Sequence, residues 1–299
     1  IDKDKLYNYL REMEFNRLLS SVISTYGEPE LSVKNIDSYP KEEQKSISKK
    51  NYYLIKNEKE IDKYIQEAGE SGELAIDTET NSLNAHQADL IGISLSTKIG
   101  KACYIPIGHK SDDCLKKEAV IKKLKPLLED SSVKKIGQNI KFDFIVLYKH
   151  GVKMNSMEDT MLMSYVLDAG KNRHNMDTLS KIHLNHKTIT FKELVGTGKK
   201  EINFRDVELD KAMKYAAEDA DITYRLYKIF HKNLKLEKLT SIYEIFEKPL
   251  IEILAFMEIN GIQIDSKFLK NLSEKFEKKI KNLEKKIFTI SKKEFNIGS

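Results

Sequence analysis

Ala75-Ile76-Asp77-Thr78-Glu79-Thr80 is an apolar run that ends in two acids spaced i, i+2. The run, Glu73–Asp77, has the length and composition of a buried strand. Side chains alternate across a strand, so Asp77 and Glu79 point to the same side. Two carboxylates so close repel each other unless a cation lies between them. Taken alone, the segment is also what an exposed strand end looks like.

The neighbouring sequence supplies the rest of a sheet. Tyr52–Ile55 reads as a short strand, and Glu58–Glu70 as a helix ending near Gly72. Leu90–Ser96 and Ala102–Ile107 are two more strands, joined to the first by short polar loops, which predicts an antiparallel meander. Lys117–Glu129 is a helix, Val133–Ile136 a further core strand, and Asn139–Lys149 a helix stopped by Gly151. Helices then dominate: Asp159–Leu167, Asp177–Leu184 and Glu208–Asn233. Strands first and helices later predict an α+β or three-layer α/β domain.

Two further segments place acids at element ends. In Gly137-Gln138-Asn139-Ile140-Lys141-Phe142-Asp143, Asn139 and Asp143 are four apart on one helix face. An Asn N-cap followed by a solvated Asp would look the same. In Tyr215-Ala216-Ala217-Glu218-Asp219-Ala220-Asp221, Tyr215 and Asp219 share a helix face, and the alanines leave room for close approach. Three acids in four residues repel one another there. Together the segments offer four carboxylates, Asp77, Glu79, Asp143 and Asp219. Oxygen-only ligands suit Mg²⁺ or Mn²⁺ rather than zinc. Two such ions about 4 Å apart can clamp a phosphodiester during in-line attack by water.

This set resembles the DEDD exonucleases, which have a ribonuclease-H-like fold. Tyr215, four before the last Asp, matches the DEDDy branch; the His five before it that marks the other branch is replaced by Lys214. Longer strings narrow the likeness. Asp77-Thr78-Glu79-Thr80-Asn81-Ser82-Leu83 and the two segments above are similar to the three exo motifs of the family A DNA polymerases, the bacterial DNA polymerase I family. So are Asn172-Arg173-His174-Asn175-Met176-Asp177-Thr178-Leu179 and His186-Lys187-Thr188-Ile189-Thr190-Phe191. Arg11-Glu12-Met13-Glu14-Phe15 resembles the end of that family's 5′-nuclease domain. Asn260-Gly261-Ile262-Gln263-Ile264-Asp265 and Phe295-Asn296-Ile297-Gly298-Ser299 resemble the opening of its polymerase thumb.

The resemblance implies a 3′–5′ proofreading exonuclease that uses two divalent cations, Mg²⁺ or Mn²⁺. By that likeness Asp77 bridges both ions, Glu79 and Asp219 complete the tighter site, and Asp143 reaches the second through water. Tyr215 and Glu79 would orient the attacking water. Leu83 would wedge between the last two bases, with Phe191 against the terminal base. Gln138, Asn139, Phe142 and Arg173 would contact the strand. The implied partners are single-stranded DNA or a frayed primer 3′ end, and the remainder of a polymerase. The implied divisions are 1–50, a helix and linker; 51–236, the exonuclease domain; and 237–299, the start of a thumb. No palm or fingers sequence is present, so polymerisation is not expected of this chain. A ribonuclease D-like exoribonuclease and a catalytically silent DNA-positioning scaffold are the competing expectations. The thumb-like C-terminus argues against the first, and the retained carboxylates against the second.

Composition sets outer bounds. The chain has 299 residues, enough for two domains. No apolar run reaches 18 residues, so no membrane span is expected, and no secretory leader is visible. Two cysteines, Cys103 and Cys114, exclude a disulfide scaffold and fit a reducing cytoplasm. The net charge is +5, but Ser266–Glu294 carries ten Lys against four Glu, which leaves a near-neutral body and one basic tail. Lys3–Ser21 reads as one helix, residues 27–50 as a linker, and Leu239–Asn260 as a long helix kinked at Pro249. Ser266–Lys292 reads as a second long helix with an apolar stripe from Leu269 to Ile290. Gly196-Thr197-Gly198-Lys199 lacks the spacing of a phosphate loop. His109, His150, His174, His183 and His186 lack zinc-site spacing, His174 being placed near DNA, and Cys103 reads as core.

Overall fold

The computed structural model describes residues 2–13, 15–27, 51–111, 113–198 and 201–298. The expected linker at 28–50 lies outside them. The chain divides into two units, Ile1–Ile259 and Asn260–Ser299.

Among the described residues six strands form one sheet. They are β1 (Asn51–Leu54), β2 (Glu73–Thr80), β3 (Leu90–Lys98), β4 (Lys101–Pro106), β5 (Lys134–Gly137) and β6 (Met157–Asp159), in the spatial order β1-β4-β3-β2-β5-β6. β2, β3 and β4 form the expected antiparallel meander. β1 adds to it in parallel, and β5 and β6 extend the other edge in parallel. β3 and β4 are buried almost throughout because helices cover both faces.

One covering layer contains α3 (Glu58–Ser71), α4 (Lys117–Glu129) and α5 (Ile140–Tyr148). Their Ile61, Leu124 and Phe144 share a core with Leu74 and Ile76 of β2. The opposite layer contains α6 (Thr160–Asp168), α7 (Met176–Leu184) and α9 (Leu209–Leu236), whose apolar residues pack with Ala75 and Ile136. A short helix, α8 (Phe191–Val195), precedes α9. Ala216, Ala217 and Ala220 are fully buried where α9 crosses the sheet, and their small side chains let the helix lie close to it. This is a three-layer α/β, ribonuclease-H-like architecture.

Two glycines are demanded by close approach. A Cβ at Gly92, opposite Glu79 in the β2–β3 register, would overlap the Tyr104 ring. One at Gly137 would lie 2.7 Å from Cβ of Ile140, which closes the turn from β5 into α5.

Three readings are refined. The N-terminal segment is two helices, α1 (Lys3–Glu12) and α2 (Asn16–Tyr26), rather than one. Tyr7 and Leu10 are buried, and the Tyr7 hydroxyl donates to the Gly27 carbonyl at 2.6 Å, a closure that a single continuous helix could not make. β6 and α8 were not expected at all. The long helix after Leu239 is three pieces: α10 (Thr240–Ile242), a π-helical turn at Tyr243–Glu247, and α11 (Lys248–Asn260). Pro249 has no N–H to give the carbonyl four residues back, and the widened turn lies just ahead of it. In the second unit α12 (Ser266–Ser291) forms as read, its N-cap Asp265 accepting from Phe268 N–H at 2.8 Å.

Candidate active site

Asp77 and Glu79 lie in the last half of β2, on the face that α9 crosses, and Asp219 projects from α9. One carboxylate oxygen from each lies within 4.8 Å of those from the other two. Strand alternation and the 3.6-residue helical period thus bring three of the four sequence-nominated acids together.

Asp143 joins from the other layer. Alternation turns Thr78 to the α5 face, where its N–H and hydroxyl both donate to Oδ1 of Asp143, at 2.9 and 2.6 Å. The fourth acid is therefore outside the three-carboxylate group but bonded to the residue between Asp77 and Glu79. Thr78 was not singled out from the sequence, although its place between two same-face acids puts it on the opposite face.

Burial pushes the carboxyls of Asp77, Glu79, Asp143 and Asp219 well above the usual range. Their mutual charges add to this: Asp219 acts on Asp77, while Asp77, Asp219 and Asp143 act on Glu79. Glu79 Oε1 is buried and has no hydrogen-bond partner. An all-oxygen donor set with an unmet acceptor suits a divalent cation. The Tyr215 hydroxyl, one helical turn before Asp219, opposes in part the rise that burial imposes on the Asp219 carboxyl, while burial and then the acids push Tyr215 upward.

The three clustered acids in α9 have separate fates. Glu218 accepts from Ile189 N–H at 2.7 Å and meets His186 Nε2 at 3.0 Å. Asp221 is tied to the sheet edge by the Tyr52 hydroxyl at 2.9 Å and Gly100 N–H at 2.7 Å, and pairs with Arg225. Only Asp219 turns to Asp77 and Glu79.

Asp77, Glu79 and Asp219, but not Asp143, line a cleft of about 500 Å³ together with Leu83, Phe142, Phe191 and Tyr215. Leu83 is 95% exposed at the rim. Phe191 stacks on Phe204 with centroids 6.3 Å apart and meets Tyr215 at 6.2 Å. Phe204, another wall residue, carries no sequence signal, since it sits in a single 3₁₀ turn, Phe204–Asp206. Gln138, Asn139 and Arg173 are not among the lining residues. The Gln138 amide donates to the His174 carbonyl at 2.7 Å. Asn139 adopts a left-handed conformation, φ 64°, that its short polar side chain tolerates. It makes no side-chain cap; Asp159 instead accepts from the N–H groups of Asn139 and Ile140. Arg173 is exposed. Cys103 is fully buried, as expected of a core residue.

A family model described as 3′-5′ exonuclease matches residues 52–235. The DNA polymerase I of Rhizobium leguminosarum is 40% identical over 269 residues, which cover 83% of this chain and 26% of the relative. That of Pseudomonas aeruginosa is 33% identical over 304 residues, covering 99% of this chain and 32% of the relative. The chain thus spans about a quarter to a third of these relatives. Among solved structures, the POL domain of Pol1 from M. smegmatis in complex with DNA primer-template and dNTP shares the fold, with a TM-score of 0.68 at 19% identity. That match covers 83% of this chain and 39% of the other. Brucella melitensis NrnC shares it with a TM-score of 0.53 at 22% identity, over 73% of this chain and 98% of the other. The fold and its acid cluster are those of a ribonuclease-H-like nuclease. More narrowly, the chain belongs to the 3′–5′ exonuclease family, in the form carried by DNA polymerase I.

Proposed function

We propose that this chain removes nucleoside monophosphates one at a time from the 3′ end of single-stranded or frayed DNA, with two divalent cations, Mg²⁺ or Mn²⁺, as cofactors. The observation that carries the reading is the trio Asp77, Glu79 and Asp219, one carboxylate oxygen of each within 4.8 Å of the others, with an unpartnered buried oxygen on Glu79. These three would hold one cation, and Asp143, positioned by Thr78, would serve the second. Bound there, such ions lower the pKa of an attacking water and stabilise charge on the leaving oxygen.

The protein's own groups do the remaining work. Tyr215 stays protonated, because burial and three neighbouring acids disfavour its phenolate. It therefore acts as a hydrogen-bonding group that orients water beside Asp219, not as a base. Phe191, backed by Phe204, offers a flat apolar face to a terminal base, and Leu83 at the rim can part it from its neighbour. Gln138, Asn139 and Arg173 remain proposed contacts to the strand outside the cleft. A cleft of this kind takes a strand end only after it is unpaired, and mismatched ends unpair at lower cost, so the site edits.

In this reading residues 51–236 are the editing domain, 1–50 a linker, and 237–299 the start of a polymerase thumb, with a polymerase core as partner in a bacterial cytoplasm. Among the described residues no helix is long and apolar enough to cross a membrane. The test is gel-resolved digestion of paired, mispaired and single-stranded 5′-labelled DNA, beside matched RNA, with Mg²⁺ or EDTA. Stepwise shortening of mispaired and single-stranded DNA in Mg²⁺, absent in EDTA, is the expected result. Cleavage that persists in EDTA, or that favours RNA, overturns the reading.

A further inference from the structure

Between α7 and α8 the chain runs for six residues, Asn185–Thr190, without regular structure. It leaves α7 through the left-handed Asn185 and enters α8 at Thr190, whose hydroxyl and Glu193 form a reciprocal capping box. Phe191, the first residue of α8, is therefore aimed by whatever holds this segment. Ser180 Oγ donates to the His186 carbonyl at 3.0 Å, and Thr188 Oγ1 to Asp177 at 2.6 Å, both ties to α7. A hydrogen-bonded tie to α9 runs through the Glu218 side chain. Glu218 Oε2 accepts from Ile189 N–H at 2.7 Å, and Oε1 meets His186 Nε2 at 3.0 Å. The Glu218 side chain is 3% exposed. It stands one residue before Asp219 and three after Tyr215, on a helix bolted to the sheet through Asp221.

We propose that Glu218 and His186 are positioning residues for the 3′-terminal nucleotide, setting the distance between the Phe191 wall and the carboxylate floor. The inference rests on the exonuclease reading above. One helix then supplies both the acid at the scissile bond and the anchor of the aromatic wall, so the two sides of the cleft move together. The two bonds use different atoms of one carboxylate, so they fix the orientation of the segment as well as its distance.

The test is a double-mutant cycle with two readouts: anisotropy of a labelled oligothymidylate in EDTA, and steady-state cleavage in Mg²⁺. His186→Ala and Glu218→Ala should each weaken binding and raise KM by about tenfold, the worth of one buried hydrogen bond, with kcat changed far less. In a Phe191→Ala background the same substitutions should change neither quantity further. Glu218→Gln, which keeps an acceptor for Ile189 N–H, should recover part of the loss; it and His186→Asn stand in if an alanine variant does not fold. Full additivity with Phe191→Ala, or a loss confined to kcat, overturns the proposal. Wild-type protein that binds but does not cleave would count against the exonuclease reading, while the binding cycle still decides the role of Glu218 and His186.

Discussion

Two strands of one sheet end in acids that are buried or partly buried, and they treat them in opposite ways. At the end of β6, Asp159 accepts from the N–H groups of Asn139, Ile140, Met161 and Leu162. Beside it, Glu158 accepts from the Tyr243 hydroxyl at 3.0 Å and from Lys248 at 2.7 Å. At the end of β2, Asp77 and Glu79 face Asp219, and one Glu79 oxygen has no partner. The charges that act on these two residues are those of other acids. The β6 acids are satisfied by the protein and serve architecture. The β2 acids are left for something the protein does not contain, and the fold bears the cost of holding them ready.

The sharpest way to break this contrast is to neutralise one acid at each place. Asp219→Asn should cut Mg²⁺-dependent cleavage by roughly 10³-fold, since the charge it contributes is worth several kcal/mol in the transition state. It should also raise the melting temperature of the metal-free protein, by about 2–4 °C for about 1 kcal/mol of relieved repulsion. A lower melting temperature would make Asp219 structural, like its counterparts on β6. Glu158→Ala should do the reverse. Leaving the Tyr243 hydroxyl without its acceptor, and Lys248 with Glu244 alone, costs about 2 kcal/mol in urea unfolding, with cleavage by the folded fraction unchanged.

The smallest effect lies in the pH dependence of metal-free stability. The folded protein holds protons on the raised carboxyls at pH values where the unfolded chain has released them. From about pH 4 upward the folded state therefore binds more protons, and stability falls as pH rises. Asp159, pushed up to about 6 because burial outweighs its four N–H bonds, contributes a fall that ends near that pH and ignores Mg²⁺. The β2 cluster contributes its own fall, which millimolar Mg²⁺ reverses more fully at pH 8 than at pH 5, because protons held on the raised carboxyls compete with the cation. Melting curves across pH, with and without Mg²⁺, separate the two. Equal metal response at both pH values would show that these carboxyls are not the binding groups.

Local patterns carried much of this site. The i, i+2 spacing put Asp77 and Glu79 on one face, and the i, i+4 spacing put Tyr215 beside Asp219, and both hold in the structure. Lys117–Glu129 is a helix with the bounds its pattern predicts. What escaped was set by contacts between layers. The Thr78–Asp143 bond depends on which helices cover which face of β2. β6 is three residues long and exists through its parallel pairing with β5, so no alternation could reveal it. The roles of Glu218 and Asp221, read from sequence only as repelling neighbours of Asp219, depend on Ile189 and Gly100, which come from distant parts of the chain. In α12 the stripe was read correctly, but Leu269, Phe276 and Ile280 remain exposed, and periodicity names no partner.

The π-helical turn at Tyr243–Glu247 has a practical consequence. Beyond it, Ile251 and Ala255 are buried in the same core as α5, Phe256 packs edge-on against both Phe144 and Tyr148, and Lys141 pairs with Glu258. The exonuclease family model's match stops at residue 235, yet the folded body continues for another two dozen residues. A gene trimmed to that match would yield a protein with a greasy bald spot over its aromatic underside, prone to clump before anyone could ask whether it cuts.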